Sequence, residues 1–491
     1  MRLWIGLHLP RLPLEVFSPS WSADAGTAVL EQEVVLAASA LARQAGVTPG
    51  MRRGGALMMA PQVQLHERAP EQEAQALHAV AMAMLQFTPQ VAEGEEATLL
   101  LDVGASLRLF GGIRRLCALV RASLATLGFT GVLAVAPTAR GAWLLARGGG
   151  GRSLTIERMV RRLHGLPATL LPPARPYQAW LEGIGCLSVG DVANLPRPGL
   201  QRRCGRELLD MLDAAHGQAA EMFCWIEAPA TFGAKLELFD RVENTDLLLA
   251  GARRLLQQLT GWLNVRQLAV ERVTLLLEHE RGRVARPPTA VEIVLAEAVW
   301  HDEHLVRLLK ERLAKLVLDA PVIGLVLEAP QVKPMAPLSD SLFPEPGGSQ
   351  EDRQRLFELL AARLGADNVL QAAPQADYRP EHANAWLPVQ EKLPPARVVA
   401  QLPPGGLPRP AWLLPKPIAL LVRDHRPFYG SPLRMVSSAE RIEAGWWSDT
   451  QTRDYFIAQG EDNAYYWVYR ERLPGADEET EQRWYLHGLF G

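Results

Sequence analysis

The first hydrophobic run, Leu3-Trp4-Ile5-Gly6-Leu7-His8-Leu9, is nearly unbroken and stops at Pro10 and Pro13. A short apolar run cut by prolines predicts a buried strand. Apolar positions over 31–45 fit a helical period, so a helix is predicted there. EQEAQALHAVAMAMLQF (71–87) is a stronger amphipathic helix, with alanine and methionine on its apolar face. Leu99-Leu100-Leu101 then predicts a second buried strand running into Asp102. A helix over 113–127, a strand over 131–137 and a helix over 138–147 follow. This alternation predicts a sheet covered by helices. Gly148-Gly149-Gly150-Gly151 reads as flexible punctuation, because no Lys-Ser/Thr follows to make a phosphate loop.

From 155 to 220 the pattern is short helices with glycine-rich turns. Residues 235–328 return to α/β character: helix 247–263, strands 270–280 and 290–297, helix 303–316 and strand 322–328. QVKPMAPLSDSLFPEPGGSQ (331–350) is proline-rich and aperiodic, which predicts a linker. A helix over 351–364 follows, and PPGGLPRP (403–410) is a second break. Trp446, Trp447, Tyr455, Tyr465, Tyr466, Trp467, Tyr469, Trp484 and Tyr485 crowd the last fifty residues. Their alternation predicts a small β-rich module in which they form core rather than a base-stacking platform.

A chain of 491 residues, 48% hydrophobic and 21% charged, is an ordinary globular chain too long for one core. No apolar run approaches the ~20 residues that span a bilayer, and no leader is recognisable, so a cytoplasmic protein without membrane contact is expected. Cys117, Cys186, Cys204 and Cys224 form no CxxC pair, which points to neither a disulfide framework nor a thiolate zinc site.

The net charge of −3 hides an asymmetry. Residues 103–206 carry fifteen Arg, no Lys and only Glu157, Glu182 and Asp191 as acids. Residues 1–102 carry six basic and eleven acidic side chains, and residues 331–491 seventeen and twenty-one. A basic block inside an acidic chain points to one polyanion surface, and the guanidinium fork suits phosphate oxygens. Within that block, WLEGIGCLSVGDVANLPRPGLQRRCGRELLDMLD (180–213) has the layout of a helix-hairpin-helix. Gly183 and Gly185 would let backbone approach a DNA phosphate, with Arg202, Arg203 and Arg206 on the next turn for the same backbone. His301-Asp302-Glu303-His304 has metal-like spacing but sits at a helix start, where acids favour the positive dipole end; it reads as an N-terminal turn.

The order of these parts resembles the Y-family translesion DNA polymerases over residues 1–330. LWIGLHLPRLPLEVF aligns with the strand motif xxxDMDCFFAxVE, ALARQAGVTPGM (40–51) with YEARxxGVxxGM, FTPQVAEGEEATLLLDVGAS (87–106) with xSPxVExxSIDEAFLDxTGS, and AVAPTARGAWLLA (134–146) with GIAPNKLLAK. The resemblance implies a palm over 1–160 with a fingers insertion at about 13–70. It further implies a helix-hairpin-helix thumb over 161–230, an α/β little finger over 231–330, a linker over 331–350 and a C-terminal partner-binding region over 351–491. The fold class expected is therefore multidomain α/β with a C-terminal β-rich extension.

On that alignment the departures fall on the chemistry. Gly6 and His8 stand where the first strand's two Asp belong, and Ala97-Thr98 replaces the Asp-Glu pair. Ala40 replaces the triphosphate Tyr while Arg43 remains as a nucleotide-site remnant; Ala139, with Arg140 beside it, replaces the Lys; and Pro10-Arg11 falls near the sugar-screening aromatic. Two divalent cations need bridging carboxylates, and Asp102 aligns with a downstream Asp that is not a ligand. The expectation is a pseudo-polymerase with no catalytic residue, metal or cofactor; an active Y-family polymerase is the alternative. SDSLFPEP (339–346) resembles a degenerate sliding-clamp peptide, with Leu342 and Phe343 as anchors and Ser339 at the usual Gln. Residues 231–330 hold thirteen basic and fourteen acidic side chains, so a weak DNA binder is expected there. The non-catalytic members of the family in bacterial damage-inducible (SOS-type) mutagenesis cassettes carry an extension like 331–491. That likeness implies primer-template DNA, the sliding clamp, an error-prone C-family polymerase and an ImuA-type RecA-like accessory protein as partners.

Overall fold

A computed structural model describes residues 2–22, 24–280, 286–318, 320–335, 350–375, 377–389, 391, 408–444, 451–472 and 483–490. Leu342 and Phe343 lie outside the described residues, as do Trp446 and Trp447. The chain divides into two compact units, Met1–Leu359 and Leu360–Gly491.

The first unit is organised on β1 (Trp4–His8), the central strand of a five-stranded sheet. Its neighbours are β6 (Thr98–Asp102) and β7 (Val132–Ala136), both antiparallel to it. β5 (Val91–Gly94) and β8 (Gly151–Arg152) form the edges, giving the order β5-β6-β1-β7-β8. Successive residues face opposite sides. Ile5, Leu7, Leu99 and Leu101, all buried, face the layer of α4 (Pro70–Met84) and α5 (Ile113–Thr126). Trp4, Gly6 and Leu100 face α6 (Ala139–Arg147), whose Ala142, Trp143 and Leu144 are fully buried. Thr138 caps α6 by accepting from the Gly141 amide at 3.1 Å.

The helix expected over 31–45 is not formed. β2 (Thr27–Glu31) and β3 (Val34–Ala38) make a hairpin there, followed by the short α2 (Ala40–Gln44). Gln32 and Glu33 take left-handed conformations (φ 50° and 67°) at the turn. The apolar positions fit both periods, and parallel pairing of β2 with β4 (Gln64–Glu67) selects the strand. With α1 (Leu12–Glu15) leading into it and α3 (Arg53–Met59) on β3, this insertion has its own small core around Leu30, Val35, Val47 and Ala56.

Gly148–Gly151 is a defined turn. Gly149, Gly150 and Gly151 have φ of +99°, +83° and +114°, and a Cβ on Gly150 would meet the Leu133 carbonyl oxygen at 2.6 Å. Beyond it lie short helices: α7 (Ile156–His164), α8 (Gln178–Gly183), α9 (Val189–Ala193), α10 (Arg197–Cys204) and α11 (Arg206–His216). They pack on α6 through one continuous core with Met159, Leu163, Leu208 and Leu212.

β9 (Gly233–Val242), β10 (Leu268–His279), β11 (Thr289–Val299) and β12 (Val322–Pro334) form a four-stranded antiparallel sheet, order β11-β10-β12-β9. α12 (Thr245–Arg266) and α13 (Asp302–Lys315) cover it, and α14 (Gln350–Leu364) follows. α12 also packs on α4 and α5: Ser123 donates to Gln257 at 2.9 Å, and the Arg254 guanidinium lies 4.7 Å over the Phe129 ring. Burial pushes the Arg254 pKa down to about 10. The closest approach is at Gly261, where an added Cβ would collide with the Met82 carbonyl.

The second unit carries a two-stranded sheet of β13 (Leu370–Pro374) and β14 (Asn384–Pro388). Its main body is an eight-stranded sheet of β15 (Trp412–Arg423), β16 (Arg426–Tyr429), β17 (Ser431–Pro432), β18 (Arg434–Met435), β19 (Glu440–Ala444), β20 (Gln451–Gln459), β21 (Tyr465–Arg472) and β22 (Arg483–Leu489). Tyr455, Trp467 and Tyr469 are core, as the alternation predicted, whereas Tyr465 is exposed. Asp454 is buried among Arg441, Arg470 and Arg472. Desolvation opposes its ionisation, but hydrogen bonds from the three arginines hold its pKa at about 2.

Gly261→Ala should therefore destabilise the first unit by about 1–3 kcal/mol, the usual cost of forcing an atom into a packed contact. Thermal denaturation checks this; an unchanged melting temperature would show that α12 does not rest on α4.

Candidate functional site

Residues 6, 8, 97 and 98 are those that the sequence alignment sets against the metal ligands of a polymerase palm. β1 and β6 bring the last three together: His8 is the register partner of Thr98, and the Leu9 amide donates to the Ala97 carbonyl at 2.9 Å. His8 Nδ1 lies 3.2 Å from Thr98 Oγ1, which donates to the Glu96 carbonyl at 3.1 Å. Glu96 and Ala97 form the left-handed tip of the β5–β6 hairpin (φ 55° and 50°). Gly6 is buried between Leu100 and Ala134, and α6 closes over it. A Cβ on residue 6 would overlap the Ala142 carbonyl, so no side chain fits there.

Charges fill the strand ends, and of these only Arg140 is picked out by the sequence alone. Arg147, at the end of α6, forms an ion pair with Glu96 and donates to the Leu170 carbonyl at 2.7 Å. Arg175 meets the other Glu96 oxygen at 2.6 Å, and Arg140 lies 3.8 Å from Glu95. Trp143 Nε1 donates to the Glu95 carbonyl at 3.0 Å, and the Arg147 guanidinium stacks 4.3 Å from the Trp143 ring. Burial, and then the neighbouring Arg147 charge, lower the pKa of His8, which keeps it neutral. Burial similarly depresses Arg147, with Glu96 opposing. The nearby carboxylates Glu95 and Glu96 are met by arginines. Among the described residues, no three His, Cys, Asp or Glu converge as metal ligands.

The other end of α6 is closed from the thumb-like side. Glu221 accepts hydrogen bonds from the amides of Ala139 (3.1 Å) and Arg140 (2.8 Å), placing a carboxylate on the helix N-terminus that would otherwise suit a phosphate. Burial raises the Glu221 pKa, with those amides opposing it. Phe223 and Trp225 then pack on Trp4, ring centroids 4.6 Å and 6.0 Å away. The Ile226 amide donates to the Val91 carbonyl at 2.8 Å, tying the segment to the edge strand β5. The adjacent acids Glu95-Glu96 were a visible signal; Glu221 had none, because its partners are 81 and 82 residues away.

The remaining candidates are scattered. Asp102 serves the strand end, accepting from the Gly104 amide at 3.2 Å. Arg43 is exposed and donates to the Ser39 carbonyl at 3.3 Å. In the α8–α9 turn, Gly183 and Gly185 have open space around them, and Gly185 is left-handed (φ +78°). The amides of residues 184–188 donate within the chain, those of Leu187 and Ser188 to Asp191 at 3.2 Å and 2.9 Å. The turn therefore presents open glycine surface rather than spare donors. Arg202, Arg203 and Arg206 are all exposed; Arg203 sits 4.9 Å over the Trp180 ring, next to that turn, and Arg206 is 3.5 Å from Asp210. His301 and His304 diverge: His304 pairs with Glu358 in α14, whereas His301 stacks beside Trp300. The four cysteines are free thiols.

Residues 18–147 match the impB/mucB/samB family. That match spans about a quarter of the chain. Over 468 residues the whole chain is 26% identical to Protein ImuB of Caulobacter vibrioides strain NA1000 / CB15N, covering 91% of this chain and 100% of that one. Protein ImuB of strain ATCC 19089 of the same species matches equally. Among solved structures, the insertion ternary complex of Dbh DNA polymerase is 16% identical with a TM-score of 0.37, spanning 67% of this chain and 98% of Dbh. The post-insertion binary complex of Dbh gives 15% and 0.36. The palm-like sheet, the hairpin tip and α6 are one packed body, and no described helix is long and apolar enough to cross a membrane.

Gly6→Ala should lower the stability of this domain by about 1–3 kcal/mol through overpacking, as read by thermal or urea denaturation. The triple variant Gly6→Asp, Ala97→Asp, Thr98→Glu should not acquire Mn²⁺ binding by titration calorimetry, because residue 6 has no volume for a carboxylate; stoichiometric binding with retained fold would contradict this packing.

Proposed function

We propose that this chain is a non-catalytic, Y-family-polymerase-like adaptor in error-prone translesion DNA synthesis and damage-induced mutagenesis, working in the cytoplasm. The observation that carries the reading is the closure of residue 6 by the Ala142 carbonyl, with the Arg147 guanidinium at the neighbouring strand end. Two-metal phosphoryl transfer needs carboxylates free to bridge cations. Here Glu96 is held by two arginines, and Glu95 lies against a third. The similarity to Protein ImuB along nearly the whole chain supports the same assignment.

On this reading the arginine-rich thumb-like helices hold primer-template or damaged DNA by its backbone, through Arg202, Arg203, Arg206 and the open turn at Gly183 and Gly185. Leu342 and Phe343 anchor the sliding clamp. The region after 350 recruits an error-prone C-family polymerase and an ImuA-type RecA-like partner. The arrangement needs no cofactor.

Primer extension by the purified chain with Mg²⁺ or Mn²⁺ should give no incorporation; incorporation that disappears in Glu96→Ala would establish the active-polymerase alternative instead. Arg202→Ala with Arg203→Ala and Arg206→Ala should weaken DNA binding equally across sequences and reduce the salt slope by about 0.9 for each phosphate no longer neutralised. Leu342→Ala with Phe343→Ala should abolish clamp association in a pull-down while DNA affinity stays constant. Unchanged clamp capture would remove that site.

A further inference from the structure

The edge of the palm-like sheet farthest from β5 carries an unassigned cluster of positive charge. From Val103 to Ile156 the chain has seven arginines and no acidic residue. Three elements carry the cluster. Arg121 comes from α5 on one face of the sheet, Arg152 from β8 itself, and Arg162 from α7 on the α6 side. All three are exposed, and among the described residues none makes an ion pair.

The glycine turn fixes this grouping. Arg162 Nη2 donates to the Gly150 carbonyl at 2.6 Å, and a Cβ on Gly151 would overlap the same guanidinium. Only glycine lets Arg162 lie flat on the backbone immediately before Arg152. Arg121 Nη1 reaches the Cys117 carbonyl at 3.4 Å, and the Cys117 thiol, raised mainly by burial, feels the opposing charge of both Arg121 and Arg152. Like charges gathered without counter-charges are unfavourable unless a polyanion supplies them.

We propose that this β8 edge is a second, sequence-independent contact for the DNA duplex, in which Arg121, Arg152 and Arg162 hold phosphates of the backbone. Duplex is favoured over single strand by what the surface lacks. α5, the glycine turn, β8 and α7 contain no Phe, Tyr or Trp, whereas single-strand grooves combine cations with aromatic stacking. Guanidinium forks alone recognise a backbone. The inference rests on the DNA-binding reading above and adds a contact outside the α8–α11 region.

The test is fluorescence anisotropy of the full chain on two unrelated duplexes and on oligo(dT), as a function of salt. Arg121→Gln with Arg152→Gln should reduce the duplex salt slope by about 1.8, or about 0.9 for each of two phosphates, on both sequences. The reduction should add to that of the Arg202, Arg203 and Arg206 variant, and Arg121→Lys with Arg152→Lys should restore most of the slope. Arg162 is left intact because it holds the turn. A duplex slope unchanged by the Gln variant, while the α10–α11 variant still lowers it, would overturn this second contact alone and point to an acidic protein partner. A reduction on oligo(dT) with none on duplex would overturn the assignment to duplex. Absence of DNA binding by the wild-type chain would overturn the underlying reading as well.

Discussion

The Ala142 carbonyl occupies the space that the first side-chain atom of residue 6 would need. Only glycine permits this, and the rest of the palm-like body is arranged around the resulting contact between α6 and β1. With α6 seated there, Trp143 reaches the Glu95 carbonyl, Arg147 reaches Glu96, and the helix N-terminus is presented to Glu221. The segment from Glu221 to Ile226 then runs over Trp4 to β5. One missing methyl group thus positions a helix, a hairpin tip and a strap.

The opposite face uses the same device. Gly261 allows α12 to approach the Met82 carbonyl of α4, and Ser123 with Gln257 adds a buried hydrogen bond. Glycine in a helix costs conformational entropy, roughly 1 kcal/mol relative to alanine. Close interhelical packing offsets that cost by restoring dispersion contacts over many atoms. The sheet is consequently sandwiched between tightly seated helices, and the arginines that decorate its rim are held on a stiff support.

Much of this was legible in the sequence, and the failures have physical causes. The strands at 4–8 and 98–102 are buried on both faces, and their unbroken apolar runs announced them. The helices at 70–84, 113–126 and 245–266 carried clear apolar periods. Residues 31–45 misled because a hairpin turn at Gln32-Glu33 breaks the apolar pattern there, and pairing of β2 with β3 and β4 decided the matter. The alignment could be written out residue by residue, but the side chains that surround Gly6, His8, Ala97 and Thr98 could not. Arg147, Arg175 and Glu221 act across sequence separations that no local pattern records, and His304 found Glu358 at a separation of 54. The glycine run at 148–151 looked like slack and is instead a tight seat for Arg162.

The ion pair of Arg147 with Glu96 has a consequence of a different kind. A divalent ion at a strand end can be stripped by a chelator, exchanged for another metal or titrated by free nucleotides. A guanidinium anchored by its own helix is subject to none of these. The charge that balances Glu96 is therefore carried by the covalent chain itself, on the last turn of the helix that also seats β1.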